Sequence, residues 1–189
     1  MNETESTLST VLASVNDWLK FAEQKNGALS AIHLAGLSIV LGAFFDKGIQ
    51  HIAAQLYFGA MAACLAVALL FSLSSFVPVL RHNSRKRRRD FPVDGNFLYF
   101  GNLAGCNPES ILVAVRASLN LADASPRPLE RHIADQIVVN SEIALLKYKT
   151  FTISVWLTIA AVFTPPGLAV GAGVIALYRY IDSHISPQS

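Results

Sequence analysis

Charge is scarce in this sequence. Of its 189 residues, 15% are Asp, Glu, Lys or Arg, where a soluble globular domain carries roughly a quarter. The shortage is uneven, because whole stretches hold no charge, while 52% of the chain is hydrophobic and the mean hydropathy is +0.42. Apolar residues gathered in blocks argue against an ordinary soluble core and for the bilayer. Cysteine is scarce too. Cys64, in an apolar stretch, and Cys106, in a polar one, are too few for a disulfide framework, and both are expected as reduced thiols. The start, Met1-Asn2-Glu3-Thr4-Glu5, lacks the basic run and apolar stretch of a secretory leader, so no cleaved signal peptide is expected. Motifs for chemistry are missing as well. His33, His51, His82, His132 and His184 are scattered, and there is no Cys-x-x-Cys, phosphate-binding glycine loop or nucleophile elbow. Arg131-His132 near Asp135 reads as helix surface. No enzymatic activity, metal or cofactor is expected.

What is present falls into four segments. Residues 1–27 are expected to form an N-terminal cytoplasmic amphipathic helix. Leu8, Leu12, Val15, Leu19 and Ala22 recur at spacings of four and three, which is one helical face. Trp18 and Phe21 suit either packing on the chain's own polar part or anchoring in the membrane interface. Residues 28–80 are expected as two transmembrane helices with a short outer loop. The first, about Ala28 to Phe45, holds no charge and is just long enough for a hydrocarbon core of about 30 Å. Asp46-Lys47-Gly48 reads as a turn. The second, about Ile52 to Leu80, is uncharged, exceeds one crossing and so tilts or projects.

Residues 81–149 are expected as a basic anchor and a cytoplasmic sensor segment. Arg81, Arg85, Lys86, Arg87, Arg88 and Arg89 are six of the fifteen basic residues, whereas the loop between the first two spans carries only Lys47. The positive-inside rule puts this run in the cytoplasm, and two crossings put residues 1–25 there too. Directly after a span, such a run reads as a topology anchor on anionic lipid rather than a nucleic-acid patch. Residues 90–147 hold seven acidic residues against four basic ones, which excludes a nucleic acid polymer as partner but leaves room for one small anion. Asn107-Pro108-Glu109 reads as a helix start, with Asn107 as cap. Ser125-Pro126-Arg127-Pro128 breaks that helix. A long one then starts near Leu129 and runs on, since no Gly or Pro lies between Leu129 and Phe163.

Residues 150–189 are expected as the final span and a short tail. Pro165-Pro166-Gly167 interrupts it, and each half alone is too short to cross, so one kinked span is expected rather than a hairpin. The fold class is thus an all-α membrane protein with an N-terminal amphipathic helix and about three transmembrane helices, two before and one kinked span after a small, mainly helical cytoplasmic segment. On the long helix, Gln136, Asn140 and Lys147 fall near one face, beside an apolar stripe of Ile133, Ile137 and Ala144. Glu23-Gln24-Lys25-Asn26 forms a second polar cluster, and the two converge if both helices stand at the membrane surface.

Three stretches, in order, carry a resemblance. The first runs from Trp18-Leu19-Lys20-Phe21-Ala22-Glu23 through Lys25-Asn26-Gly27 into a span. The second is Phe97-Leu98-Tyr99-Phe100-Gly101. The third runs from Asp135-Gln136-Ile137 through Asn140-Ser141-Glu142 to Lys147-Tyr148 and into the last span. Together they resemble the transmembrane effectors of the bacterial Pycsar system, the pyrimidine cyclase system for antiphage resistance. Glu23 stands where that family commonly has Asp, and Asn26 where a small residue is expected. The resemblance implies a partner cyclase that makes cyclic CMP or cyclic UMP on infection. It also implies an effector, multi-pass in the bacterial inner membrane, that binds this nucleotide with its cytoplasmic part and impairs the membrane in an abortive infection. A site for such a ligand wants a cation, amides and an aromatic ring. Lys25, Asn26, Tyr99, Phe100, Arg131, Gln136, Asn140 and Lys147 supply these types. So small a soluble segment gains by packing on a second copy, so a homo-oligomer is expected. The alternatives are a membrane scaffold subunit without nucleotide binding and a holin-like toxin.

Overall fold

The structure, a computed structural model, describes residues 2–46, 51–78, 88–121 and 125–185, the last stretch beyond residue 163 mostly as backbone. It contains α1 (Glu3–Phe44), α2 (Ile52–Ser74), α3 (Phe100–Leu103), α4 (Pro108–Ser118) and α5 (Pro128–Ile185). The described residues are 80% helical, with no strand among them. Helices α1, α2 and α5 are each long and apolar enough to cross a bilayer. The chain is therefore a membrane protein of the all-α class expected.

Two elements differ in extent from the expectation. The N-terminal helix and the first span are one helix, α1, because Gly27 does not break it. The Phe76 ring packs 3.7 Å from where a Cβ on Gly27 would lie. Helix α2 ends at Ser74, short of the end expected near Leu80. Ser72, Ser74 and Ser75 crowd that end, and serine hydroxyls compete for helical backbone groups. The last helix keeps its expected start within one residue, and its backbone passes Pro165-Pro166 as a single helix rather than a hairpin. Lys47-Gly48 of the expected turn and Arg81, Arg85, Lys86 and Arg87 of the basic run lie outside the described residues.

The chain folds as two units, one of Met1–Ala28 with Ser72–Phe151, the other of Leu29–Phe71 with Thr152–Ser189. The first unit has a core of the soluble kind. Leu8, Val11 and Val15 of α1 pack with Leu103, Ile111, Leu112 and Val115, and with Ile137 and Val138 of α5. Each such side chain contributes about 1.5–3 kcal/mol on burial. Helix α4 begins as expected, with the Asn107 side chain accepting the Glu109 N–H. A charged knot closes one end of this unit. The buried Glu130 carboxylate accepts hydrogen bonds from the Asn2 side chain (2.9 Å) and the Arg127 N–H (3.0 Å), and lies 3.4 Å from the buried Arg116. Burial pushes the Glu130 carboxyl up, but Asn2, the Arg127 N–H and the charges of Arg116 and Arg127 outweigh it and hold it below its ordinary 4.5. Cys106 is a free, buried thiol that donates to the Asn102 carbonyl at 2.9 Å. Burial pushes its pKa up despite the nearby Arg89, as suits a structural cysteine.

The second unit is built the other way. Ile32, Leu34, Ile39, Leu56, Leu70 and Trp156 are exposed, while Ser30, His33 and Ser154 are buried. Large apolar side chains facing outward are what lipid as solvent requires.

Candidate functional site

In the first unit, three elements bring aromatic rings and cations together. Trp18, Ala22 and Lys25 follow at spacings of four and three on α1, hence on one face. The turn before α3 supplies Tyr99, α3 supplies Phe100, and α5 supplies Lys147, Tyr148 and Phe151. The Phe100 ring stacks on Tyr148 at 5.0 Å with 13° between planes. Trp18 meets both, at 5.6 Å from Phe100 and 6.3 Å from Tyr148. Its indole N–H donates to the Leu98 carbonyl at 3.1 Å, which ties the turn to α1. Within that turn Asn96 accepts the Leu98 N–H at 2.8 Å. Gly101 lets the Tyr99 ring lie against the backbone, since a Cβ there would lie 2.6 Å from the ring and push it aside. Gly105, at φ 76°, turns the chain after α3. Arg89 then fastens α3 by donating to the carbonyls of Gly101, Asn102 and Ala104 at 3.0–3.4 Å.

The two lysines beside these rings are in opposite situations. Lys147 is buried, and its ammonium donates to the Glu23 carboxylate (3.1 Å) and the Ser75 carbonyl (2.6 Å). Its charge is neutralised, and it ties α5 to α1 and to the residue after α2. Asn26, also buried, donates to the Ala22 carbonyl at 2.9 Å and to the Lys147 carbonyl at 3.2 Å. Lys25 pairs with no carboxylate among the described residues. Its ammonium sits 4.4 Å from the Phe21 ring centre, 5.5 Å from Phe151 and 5.6 Å from Tyr148. Such cation–π contacts contribute about 0.5–1 kcal/mol at partly exposed sites and leave the N–H donors open to an anion.

Of the eight residues proposed from sequence, the structure thus gathers Lys25, Asn26, Phe100 and Lys147 around one cluster, with Tyr99 beside it on Phe100 at 5.1 Å. Gln136 and Asn140 belong to a neighbouring amide chain. Gln136 donates to Asn140 at 2.6 Å and Asn140 to Asn16 at 2.7 Å, with Asn140 about 10 Å and Gln136 about 16 Å along α5 from Lys147. Arg131 stands apart, 3.4 Å from Glu109 and some 24 Å along α5 from Lys147. Sequence reasoning left out Trp18, Tyr148 and Phe151 as ring partners. The spacing of Tyr148 one residue after Lys147, and of Trp18 seven before Lys25, was the available signal. No group of three side chains suited to a metal occurs among the described residues. Away from the rings, a groove of about 340 Å³ runs between Ala104-Gly105 and the outer face of α5 at Val139, Ile143 and Leu146.

A family profile described as Pycsar effector protein domain matches residues 7–177. No curated protein and no solved structure matches the chain.

Proposed function

The chain belongs to the Pycsar effector family, which makes it an effector of antiphage defence, and from that premise we propose a non-catalytic nucleotide sensor in the bacterial inner membrane. In this reading the first unit lies in the cytoplasm and binds cyclic CMP or cyclic UMP made by a partner cyclase. Binding then drives the second unit to impair the membrane, so that the infected cell fails before phage are released. The observation that carries this is the cluster of Trp18, Phe100 and Tyr148 with the uncommitted Lys25 at its edge. A cyclic mononucleotide is a flat base joined to one negative charge. The half-exposed rings of Trp18 and Tyr99 offer faces for the base, and Lys25 offers a cation for the phosphate. The Lys147–Glu23 pair acts on the ligand indirectly, by holding α1 and α5 in register. A homo-oligomer is part of the reading, since a soluble part this small gains by packing on a second copy.

The test is calorimetry on the purified full chain in detergent with the cyclic forms of CMP, UMP, AMP and GMP. One pyrimidine should bind, with the purines at least about tenfold weaker, because a site paired to one base edge leaves groups unpaired with another. Equal or absent binding of all four refutes the reading. Killing of cells that make the chain without any cyclase would mark a holin-like toxin instead.

A further inference from the structure

The second unit buries polar groups that its surroundings do not demand. Residues 29–44, 52–71 and 152–163 contain no Asp, Glu, Lys or Arg, yet Ser30, His33 and Ser154 are buried there. His33 Nε2 lies 2.6 Å from the Thr158 hydroxyl, and that hydroxyl donates to the Ser154 carbonyl at 2.8 Å. With its hydrogen so used, Thr158 accepts one from His33 Nε2. The Ser154 hydroxyl donates in turn to the Ala68 carbonyl at 2.7 Å. One chain of hydrogen bonds therefore joins α1, α5 and α2. Seven residues beyond His33, about 10 Å along α1, Val40 packs with Ala62, Leu65 and Ala161 in a small apolar cluster. The interior of the unit thus has a polar part and an apolar part in series.

Fastening the helices is the simplest use for such bonds, but each interhelical hydrogen bond in a bilayer contributes only about 0.6 kcal/mol on average. Serine and threonine alone serve that purpose. An imidazole inside a span is costly, and groups of that kind mark routes for water, protons or ions. A dry constriction next to a wettable stretch is the arrangement by which hydrophobic gates work. We propose that His33, Ser154 and Thr158 line a path for water and small ions, closed at rest by Val40, Ala62, Leu65 and Ala161. The damage is then a pore through the chain's own helices and not dissolution of lipid. Opening of this path by nucleotide rests on the function proposed above; the path itself does not.

The test uses the full chain in liposomes loaded with potassium and calcein, with cyclic CMP and cyclic UMP as probes. The parent with nucleotide should release potassium and retain calcein. Val40→Asn wets the constriction and should raise potassium leak about tenfold or more without nucleotide, while Val40→Leu stays tight. Thr158→Val with Ser154→Ala dries the path and should cut nucleotide-driven leak about tenfold with nucleotide binding unchanged. Opposite signs from two variants of parental helicity rule out mere misfolding. Calcein escaping as readily as potassium, or a dried path that leaks like the parent, overturns the proposal. If the parent ignores every cyclic nucleotide, the proposed function fails, and Val40→Asn decides the pore alone: potassium leak supports it, tight liposomes overturn it.

Discussion

Helix α1 packs differently in its two halves. Up to Ala28 it buries Leu8, Val11, Val15 and Ala22 and leaves Asp17 and Lys20 exposed. From Leu29 on it buries Ser30 and His33 along with Leu29 and Val40, and exposes Ile32, Leu34 and Ile39. Helix α5 changes in the same sense, from buried Ile137 and Val138 to buried Ser154 beside exposed Trp156. The difference is one of solvent. Water rewards hiding apolar area, whereas in lipid that reward is gone and helices meet through close packing and hydrogen bonds. A single helix can serve both because backbone hydrogen bonding is satisfied within it in either medium.

This contrast predicts effects of graded size. The largest is expected at the charged knot of the first unit. Glu130→Ala leaves the Arg116 guanidinium buried without its carboxylate and should cost about 3–5 kcal/mol, read as a lowered melting temperature in detergent. The same group gives a pH signature. Its folded pKa lies below the ordinary 4.5, so its stabilisation is complete above that pH and is lost as pH falls through the depressed folded value. Thermal melts at descending pH should therefore show an acid-side loss that Glu130→Gln reduces. An acid profile identical in parent and variant would contradict this.

A middle-sized effect separates the two lysines. Lys147→Met strands the Ser75 carbonyl and half-exposed Glu23, and should destabilise the unit by about 1–3 kcal/mol. Lys25→Ala should lower stability by no more than about 1 kcal/mol, the cation–π contribution, yet weaken cyclic nucleotide binding about tenfold or more. Calorimetry together with melting curves checks both, and a Lys25→Ala chain with parental affinity would remove the cation assigned to the phosphate. The smallest effect is expected at Asn16→Ala, about 1 kcal/mol, since one exchangeable amide bond to Asn140 is lost.

Much of the fold was legible in the sequence because its signals are local. Uncharged runs mark the spans, and Asn107-Pro108 marks the start of α4 by a cap that needs only the next two residues. The continuity of the last helix from Leu129 to Phe163 follows from the absence of Gly and Pro there, whereas its passage through Pro165-Pro166 has no such local signal. The end of α2 was less legible, since hydropathy continues past Ser74 while the serines end the helix. The candidate site was legible in kind but not in pairing. Lys147 meets Glu23 and Asn26 at separations of 124 and 121 residues, and no periodicity on either helix reports which lysine is neutralised. Arg131 offered the right charge, but its distance along α5 emerges only from geometry.

In the proposed function one unit senses and the other acts, and the change passes along α5, which is helical from Pro128 to Ile185. Inserting Gly-Gly-Ser-Gly between Lys149 and Thr150 breaks that helix with residues that disfavour it. The measurement is nucleotide affinity by calorimetry beside potassium release from liposomes, on the same preparation. Binding within about twofold of the parent, with release abolished, is the result expected if a continuous helix carries the change. Release as strong as the parent's, at unchanged affinity, would contradict the claim.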